Sequence, residues 1–347
     1  MDTVENIVIV GAGFAGLATA LGLHRKGVKS LVLESSPTMR ATGFAFTIWT
    51  NAWRALDALG VGDKVRDHHL LLESVTFLSA TSGDISAKVN LDKAQGKIGV
   101  KIQVLIGCDG INSVVAKYLG LEKPLLSGRC ATRGISEHPS GHGFKHDFLN
   151  INGGGFRSGF LPCSEKTIYW YFTWCPSENG AEKVDESIQK MREFVVKTFT
   201  ASKVPREMIE VIERSEMSEV VSSPLRYRSP VSLLFGNIIK RNICVIGDAL
   251  HPMTPDLGQG ACTSLEDGVI LSRYLADAVH DGNVEVGLEK FTRERRWRCA
   301  NVVAKSYITG FIQQSSNWFV SFLREKLLAG IMARDLVNVS DYDCGKL

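Results

Sequence analysis

The sequence lacks the cysteine and histidine patterns of metal sites and redox centres. Its 8 cysteines are scattered, no two of them form a C-x-x-C pair, and no histidine lies near them at the spacing of metal ligands. This absence argues against a metal site and against the cysteine pair of a disulfide reductase. The first residues also lack the pattern of a secretory signal, and scattered cysteines are typical of reduced thiols. The sequence therefore predicts an intracellular, cytoplasmic protein without a metal.

Long apolar runs and an excess of charge of either sign are also missing. No window reaches the roughly 18 uninterrupted apolar residues of a membrane-spanning helix, so we expect no transmembrane segment. Lys and Arg number 40 against 37 Asp and Glu, for a net charge of +3. The one dense basic run, RERRWR at residues 293–298, has helical spacing. It is typical of a solvated helix face, so we expect no nucleic-acid partner.

The N-terminal residues have the pattern of a β-α-β unit. We expect an apolar strand at Ile7–Val10, a helix at about Phe14–Lys26 and a second apolar strand at Ser30–Leu33 that ends in Glu34. The turn after the first strand has the spacing G-x-G-x-x-G. In this context that spacing is typical of a dinucleotide site. The chain has 347 residues, 44% of them hydrophobic, which is enough for about two domains.

Each glycine of this turn has a separate physical role in such a site. Gly11 allows the sharp turn, Gly13 lets a pyrophosphate approach the backbone, and Gly16 lets the helix pack closely on the strand. The helix N-terminus offers free N–H groups to the anion. Glu34 is positioned for a ribose diol and disfavours a 2′-phosphate. This unit does not distinguish NAD from FAD, because both cofactors contain adenosine diphosphate.

Two further strand ends favour a flavin. The stretch QVLIGCDGINS ends its apolar run at Asp109-Gly110, and ICVIGDALHP ends its run at Gly247-Asp248. Three apolar strands thus reach glycine-containing turns at one sheet edge, where α/β sheets bind their ligands. A nicotinamide cofactor does not need the last turn. A flavin does need it, because its ribityl hydroxyls require a carboxylate acceptor and the positive N-terminal end of a helix stabilises negative charge on its ring.

These motifs together resemble those of a known enzyme family. The chain resembles the FAD-dependent aromatic-ring hydroxylases, which are single-component flavoprotein monooxygenases. The motifs that carry this resemblance are G-x-G-x-x-G with Glu34, then CDGINS, then GDALHPMTPDLGQGACTSLEDG. The plant salicylate-hydroxylase-like and zeaxanthin-epoxidase-like members are the most similar. The resemblance implies that Asp248 accepts hydrogen bonds from the ribityl chain and that residues 258–260 approach the isoalloxazine ring.

The resemblance also implies a full set of FAD-binding residues. They lie in the glycine turn, after the second strand and in the two later turns: Gly11, Ala12, Gly13, Phe14, Ala15, Gly16, Glu34, Ser35, Arg40, Asp109, Gly110, Asp248, Pro255, Gly258, Gln259 and Gly260.

Two titratable residues near these turns have more than one interpretation. His251 is either a neutral side chain that holds the loop 252–255 by a hydrogen bond or an acid or base, and the first is favoured. Asp109 is either a turn carboxylate that caps local N–H groups or a direct contact of the flavin. The sequence therefore identifies no catalytic residue.

The central residues have the alternating pattern of an antiparallel sheet. A hairpin is expected at 162–166, and one face of the following strand would present Ile168, Trp170, Phe172 and Trp174. Packing against a helix is the simpler interpretation of this face. The alternative, implied by the resemblance, is that Trp170, Phe172 and Trp174 cover an apolar substrate cavity above the flavin.

The predicted fold class is α/β, or α+β over the whole chain. A Rossmann-type FAD-binding domain, formed by residues 1–125 and 236–285, would receive an inserted antiparallel β-sheet substrate domain at 126–235. Residues 286–347 would form a C-terminal helical region. Its stretch NWFVSFLREKLLAGIMARDLV is apolar enough to dock on the domain, which is favoured, or to contact a membrane surface peripherally.

The predicted function is insertion of one oxygen atom of O₂ into a small apolar or aromatic substrate, with FAD reduced by NADPH or NADH. No second G-x-G-x-x-G follows a strand, so the nicotinamide would bind transiently, without a domain of its own. The first alternative is a flavin-dependent dehydrogenase or reductase on the same fold. The second is a weakly flavin-binding, inactive variant or binding protein.

One segment departs from the family pattern. Relatives have a longer stretch before the CDG strand, with a crossover helix and an arginine that reaches the cofactor, whereas this chain has only residues 90–101. A parallel crossover needs a dozen or more residues, so we expect an internal deletion here that removes one wall of the site and weakens FAD binding. Ala116 and Lys117 also stand where the family has an arginine.

Overall fold

A computed structural model of the chain describes residues 7–36, 47–67, 74–79, 85–90, 99–101, 104–176, 188–216, 220–323 and 329–347. These residues form two main sheets with helices packed against them, an α/β fold as the sequence predicts. Two further short strands, β2 (Lys26–Lys29) and β6 (Gly99–Lys101), pair with each other in parallel.

The first sheet contains the strand of the glycine turn, which has a parallel neighbour on each side. Its order is β13 (Ile239–Lys240), β14 (Ile243–Val245), β7 (Val104–Gly107), β1 (Ile7–Val10) and β3 (Leu31–Leu33). All neighbouring strands are parallel except β13 and β14. Parallel strands end at the same edge, so the turns after β1, β7 and β14 meet there. This confirms the predicted convergence of the three turns.

Helices pack against this sheet. The first helix, α1 (Phe14–Arg25), packs along α8 (Gly260–His280). A Cβ atom on Gly268 of α8 would lie 2.5 Å from the Cβ of Ala18 in α1, so the close packing of the two helices requires glycine at that position. The remaining helices are α2 (Thr50–Leu59), α3 (Gly62–Arg66), α4 (Val114–Tyr118), α7 (Pro230–Phe235), α9 (Val284–Gln314), α10 (Trp318–Leu323) and α11 (Ala329–Ser340).

The second sheet has seven strands and is mostly antiparallel. Its order is β12 (Val221–Tyr227), β8 (Leu125–Glu137), β11 (Thr167–Trp174), β10 (Phe156–Pro162), β9 (Asp147–Gly153), β4 (Ser74–Ser79) and β5 (Ile85–Asn90). Only the β4–β9 pair is parallel. The hairpin between β10 and β11 confirms the turn predicted at 162–166. One face of this sheet is covered by α5 (Ile188–Thr200) and α6 (Arg206–Arg214), with which it forms a separate apolar core.

The structure differs from the predicted domain division at β4 and β5. The sequence places residues 74–90 in the first domain, but β4 pairs with β9 and β5 with β4, so both strands extend the second sheet. The assignment depends on backbone pairing between segments that are distant in the chain, and the local sequence does not predict such pairing.

The C-terminal helices only partly dock on the core. Leu336 and Val339 of α11 are buried in the core of the first domain, whereas Trp318, Phe319 and Phe322 of α10 are exposed. None of the helices in the described part of the chain combines the length and apolar character needed to cross a membrane.

Candidate active site

The glycine turn between β1 and α1 has the shape of an anion-binding loop. Gly11 has φ +105°, and a Cβ there would collide with the carbonyl oxygen of Cys108, so the position requires glycine. Gly13 is the residue before α1, and a Cβ on it would have no atom within 4 Å. The space beside the N-terminus of α1 is therefore open to a negatively charged group.

Glu34 lies at the end of β3, beside this turn. Its Oε2 accepts a hydrogen bond from the Ala12 N–H at 2.7 Å, and its Oε1 accepts one from the Ser36 N–H at 2.8 Å. The bond from Ala12, followed by that from Ser36, lowers the pKa of the Glu34 carboxyl. The exposed side chain is thus an ionised acceptor next to the glycine turn.

Asp109 follows β7 and caps the next helix. Its Oδ1 accepts from the Ser113 hydroxyl at 2.5 Å, and its Oδ2 accepts from the Val114 N–H at 2.7 Å at the start of α4. Of the two interpretations that the sequence leaves open, these contacts show capping. The neighbouring Gly110 lines the central cavity.

Asp248 lies in a 3₁₀ turn, Gly247–Ala249, directly after β14. Its side chain lines the cavity and is accessible from it, while protein surrounds it on its other sides. Desolvation by these surroundings raises the pKa of the carboxyl, and His251 opposes the shift. A hydrogen-bond donor that enters the cavity would stabilise its charged form.

His251 belongs to a buried ion network below this turn. Its Nε2 lies 2.6 Å from Oδ2 of Asp267, which also accepts from the Gly247 N–H at 2.8 Å. Arg295 donates to Oδ1 of the same carboxylate at 2.7 Å. His251 therefore holds the turn through Asp267. Burial lowers the pKa of its imidazole, but Cys299 and Asp267 outweigh this and raise the pKa well above its ordinary value, so the structure does not support the neutral form that the sequence favours. Ligand atoms of His251, Asp267 and Cys299 lie within 4.8 Å of one another, but Arg295 supplies the positive charge there.

The turns face a cavity of about 450 Å³ that lies between them and the second sheet. On the side of the first sheet its lining includes Gly13, Trp49, Gly110, Asp248, Gly258 and Gly260. On the other side its lining includes Arg133, Phe148, Asn150, Arg157, Tyr169 and Tyr171. The N-terminus of α8 therefore opens into the same space as strands β8 to β11.

The comparisons with known proteins decide the family. A family described as FAD binding domain matches residues 4–97 and 72–306. Monooxygenase 2 of Arabidopsis thaliana is 38% identical over 403 aligned residues, which cover 99% of this chain and 98% of the relative. Monooxygenase 1 of the same plant is 31% identical over 398, with 98% and 99% covered. The chain is a FAD-dependent monooxygenase of this family.

Solved structures show the same fold. The chain is similar to Klebsiella pneumoniae HpxO complexed with FAD and uric acid, with a TM-score of 0.80, 19% identity, and coverage of 97% of this chain and 96% of that one. CtdE in complex with FAD and a substrate gives a TM-score of 0.77 at 18% identity, with 97% of each chain covered.

The alignment shows that this monooxygenase is shorter than one of its relatives. The alignment with Monooxygenase 2 extends over 403 positions, more than the 347 residues of this chain, so the relative has residues without a counterpart here. The family matches as two segments that overlap at 72–97. Neither finding locates the missing residues, so the deletion near 90–101 stays a prediction. Residues 91–98 lie outside the described residues.

FAD fits the residues that this monooxygenase presents. The open space at Gly13 suits the pyrophosphate, and the ionised Glu34 suits a ribose. Asp248 offers a carboxylate acceptor inside the cavity. Gly258 adopts the left-handed conformation with φ +63°, which brings the backbone before α8 to the cavity wall. These groups would hold the cofactor from its adenosine end to its ring.

The structure places the predicted cofactor residues in three groups. Eight line the cavity: Gly13, Phe14, Ala15, Gly110, Asp248, Pro255, Gly258 and Gly260. Gly11, Ala12, Gly16, Glu34 and Ser35 form the adjoining turn, the start of α1 and the end of β3. Asp109 caps α4, and Gln259 is buried at the start of α8, where its Oε1 accepts a hydrogen bond from Asn51. Arg40 lies outside the described residues.

The predicted substrate residues lie on the wrong face of β11. Trp170 and Phe172 are fully buried in the core beneath α5 and α6, and Trp174 packs on Phe172 and Phe194. The cavity is instead lined by Tyr169, Tyr171 and Thr173. The assignment of Trp170, Phe172 and Trp174 to the substrate is therefore corrected. The larger apolar rings pack against the helices, and the hydroxyl-bearing residues face the cavity.

Sequence reasoning missed a buried ion network at the cavity wall. Asp256, next to Pro255, accepts a bidentate pair of hydrogen bonds from Arg129 of β8 at 2.9 and 2.6 Å. Arg157 of β10 donates to the same carboxylate at 3.0 Å and lies over the ring of Tyr171. The available signal was two arginines inside otherwise apolar or small-residue strands, because such a charge is rarely buried unless paired.

Proposed function

We propose that this chain inserts one oxygen atom of O₂ into a small aromatic or apolar substrate, with NADPH or NADH as the electron donor. Membership of the FAD-dependent monooxygenases supports the type of reaction. When bound, FAD would supply the electron transfer and the activation of O₂. The chain's own residues bind the two molecules, orient them and exclude water.

The observation that supports this proposal best is the shared cavity. Its volume of about 450 Å³ suits a small ligand, and it joins the glycine-containing turns to an aromatic sheet face. Phe148, Tyr169 and Tyr171 supply flat apolar surface on the side opposite the N-terminus of α8. A planar ring stacked there would face the place that the turns reserve for the cofactor ring.

Polar groups on the same face would orient such a ring. The Tyr171 hydroxyl donates to Oδ1 of Asn150 at 2.6 Å, which fixes its position. Burial raises the pKa of Tyr169 to about 12, so its hydroxyl stays protonated and can donate. Arg133 also lines the cavity. A substrate with a phenol, carbonyl or carboxylate oxygen would gain a charge-assisted hydrogen bond from it.

The nicotinamide donor has no separate nucleotide-binding turn in this sequence. No second G-x-G-x-x-G follows a strand, and the turn present serves the bound flavin. We therefore propose that NADPH or NADH binds transiently at the open side of the cavity and leaves before the substrate is hydroxylated.

The test is an oxygen-labelling assay on the purified chain loaded with FAD. Aromatic acids, neutral phenols and neutral heteroaromatic ketones are screened for stimulation of NADPH and NADH oxidation, and products formed under ¹⁸O₂ are weighed by mass spectrometry. A product that contains one ¹⁸O atom is the expected result. Substrate oxidation without incorporation of ¹⁸O would contradict the proposal and identify a dehydrogenase.

A further inference from the structure

Trp49 presents an unused hydrogen-bond donor at the cavity. It is the residue before α2, only 3% of it is exposed, and it lines the cavity. Its indole Nε1 is buried and has no hydrogen-bond partner among the described residues. A buried N–H group without an acceptor is unfavourable, and native proteins rarely leave one unless a ligand or water completes it.

The position of this nitrogen points to one part of the cavity. Nε1 lies 3.1 Å from the place where a Cβ of Gly258 would stand, so a side chain at Gly258 would crowd the indole. Gly258 precedes Gln259 and Gly260, the first residue of α8, and both glycines line the cavity. The donor therefore lies beside the loop that leads into α8, at the wall of the cavity.

Two neighbouring atoms are also buried without partners, but they do not reach this space. Asn51 Oδ1 and Gln259 Nε2 have no hydrogen bond in the described part of the chain, yet neither residue is among those that line the cavity. Asn51 already donates to Gln259 and to Glu266. Of these three residues only Trp49 lines the cavity, so its indole is the unpartnered group that lies next to a ligand there.

We propose that the Trp49 indole N–H donates a hydrogen bond to the isoalloxazine ring of bound FAD, at a carbonyl oxygen or ring nitrogen that faces Gly258. The inference rests on FAD binding in this cavity. These ring atoms gain negative charge when a flavin is reduced, so the donor stabilises the reduced cofactor more than the oxidised one. Trp49 is thus a cofactor-contacting residue that also tunes the reduction potential.

The first test is Trp49→Phe, which keeps an apolar ring and removes the donor. FAD affinity is measured by calorimetry, and the visible spectrum and midpoint potential of the bound flavin are recorded. We expect FAD to bind about three- to tenfold more weakly, the value of one hydrogen bond, with a shifted visible band and a more negative potential. The matched control is Trp53→Phe one turn further along α2, whose ring contacts Arg66 instead, and it should leave all three unchanged.

The second test uses the wild-type chain and does not depend on the folding of a variant. Indole ¹⁵N–¹H resonances are recorded by NMR and that of Trp49 is assigned by its absence in Trp49→Phe. Addition of FAD should move this resonance downfield, whereas ADP, which lacks the ring, should not.

Three results would overturn this proposal alone. One is an unchanged FAD affinity and spectrum in Trp49→Phe, and another is an indole shift caused equally by ADP. The third is an indole shift that requires an aromatic substrate in addition to FAD, since the acceptor would then be the substrate. A wild-type chain that binds no FAD would overturn this inference together with the proposed function, and calorimetry on the wild type distinguishes that case.

Discussion

Asp256→Asn should strongly destabilise the chain, because one carboxylate joins the two parts of the site. Asp256 is 4% exposed and lies in the loop that leads to Gly258. Arg129 and Arg157, on two strands of the second sheet, both donate to it. Desolvation raises the pKa of this carboxyl, but the hydrogen bonds and charges of the arginines outweigh it, and the net pKa is lowered. The carboxylate is therefore ionised at neutral pH.

The expected loss of stability follows from the charges that would remain. An asparagine keeps the shape but leaves two buried guanidinium groups without their counter-charge, and its NH₂ group would face a guanidinium donor. Removing one partner of a buried ion pair typically costs about 3–5 kcal/mol. Gly310 of α9 packs directly on this cluster, so a rearrangement that relieves the charges has little room.

The assay is urea unfolding of the chain without cofactor, followed by tryptophan fluorescence and circular dichroism. Glu213→Gln is the matched control, because it breaks the exposed pair between Glu213 and Arg206, 2.8 Å long, and should cost about 0–1 kcal/mol. A loss below about 1 kcal/mol in Asp256→Asn, equal to that of the control, would refute the reasoning.

Further predictions concern the cofactor, the substrate, acid stability and the shortened segment. Asp248→Ala should weaken FAD binding by about 1.5–3 kcal/mol in calorimetry, the value of a charged hydrogen bond, and an unchanged dissociation constant would contradict its ribityl role. Arg133→Met should raise KM for acidic aromatic substrates more than for neutral ones, and equal changes would remove Arg133 from recognition. Burial raises the pKa of Asp267, but His251 and Arg295 outweigh this effect and bring the pKa down to about 2. The ionised carboxylate therefore contributes its full stability above the unfolded pKa of about 3.9, and this contribution is lost as pH falls toward 2. In Asp267→Asn the free energy of unfolding should consequently depend less on pH over this range, which acid unfolding measures. Insertion of a crossover of family length between residues 90 and 101 should raise bound FAD and hydroxylase activity, whereas tight stoichiometric FAD in the unaltered chain would contradict a missing wall.

Local sequence predicted the elements whose chemistry is contained in a short stretch. The strand Ile7–Val10 and the helix that begins at Phe14 lie where the pattern places them, since apolar runs, helical spacing and glycine turns are properties of neighbouring residues. The hairpin between β10 and β11 was predictable for the same reason. Motif spacing likewise located the three turns that meet at the cavity.

Features that depend on distant partners were not predictable in this way. The alternation of side chains along β11 placed Trp170 and Phe172 on one face and Tyr169 and Tyr171 on the other. It could not predict which face packs against the helices and which lines the cavity. The role of Asp256 depends on Arg129, which is 127 residues away in the chain. The unpartnered indole of Trp49 depends on its approach to Gly258 in another segment.

The sequence by itself determined the nucleotide-binding unit, because the glycine turn at Gly11 and Gly13, the carboxylate of Glu34 and the apolar strands are encoded locally. The two later turns, which end in Asp109 and Asp248, favoured a flavin over a nicotinamide. The tertiary structure decided how these parts form one site. It turned the tyrosine face of β11 to the cavity, joined the loop at Asp256 to the second sheet, and added β4 and β5 to that sheet. The physical reason is that burial and long-range pairing depend on which surfaces meet after folding, and a pattern along the chain specifies only the surfaces that are available to meet.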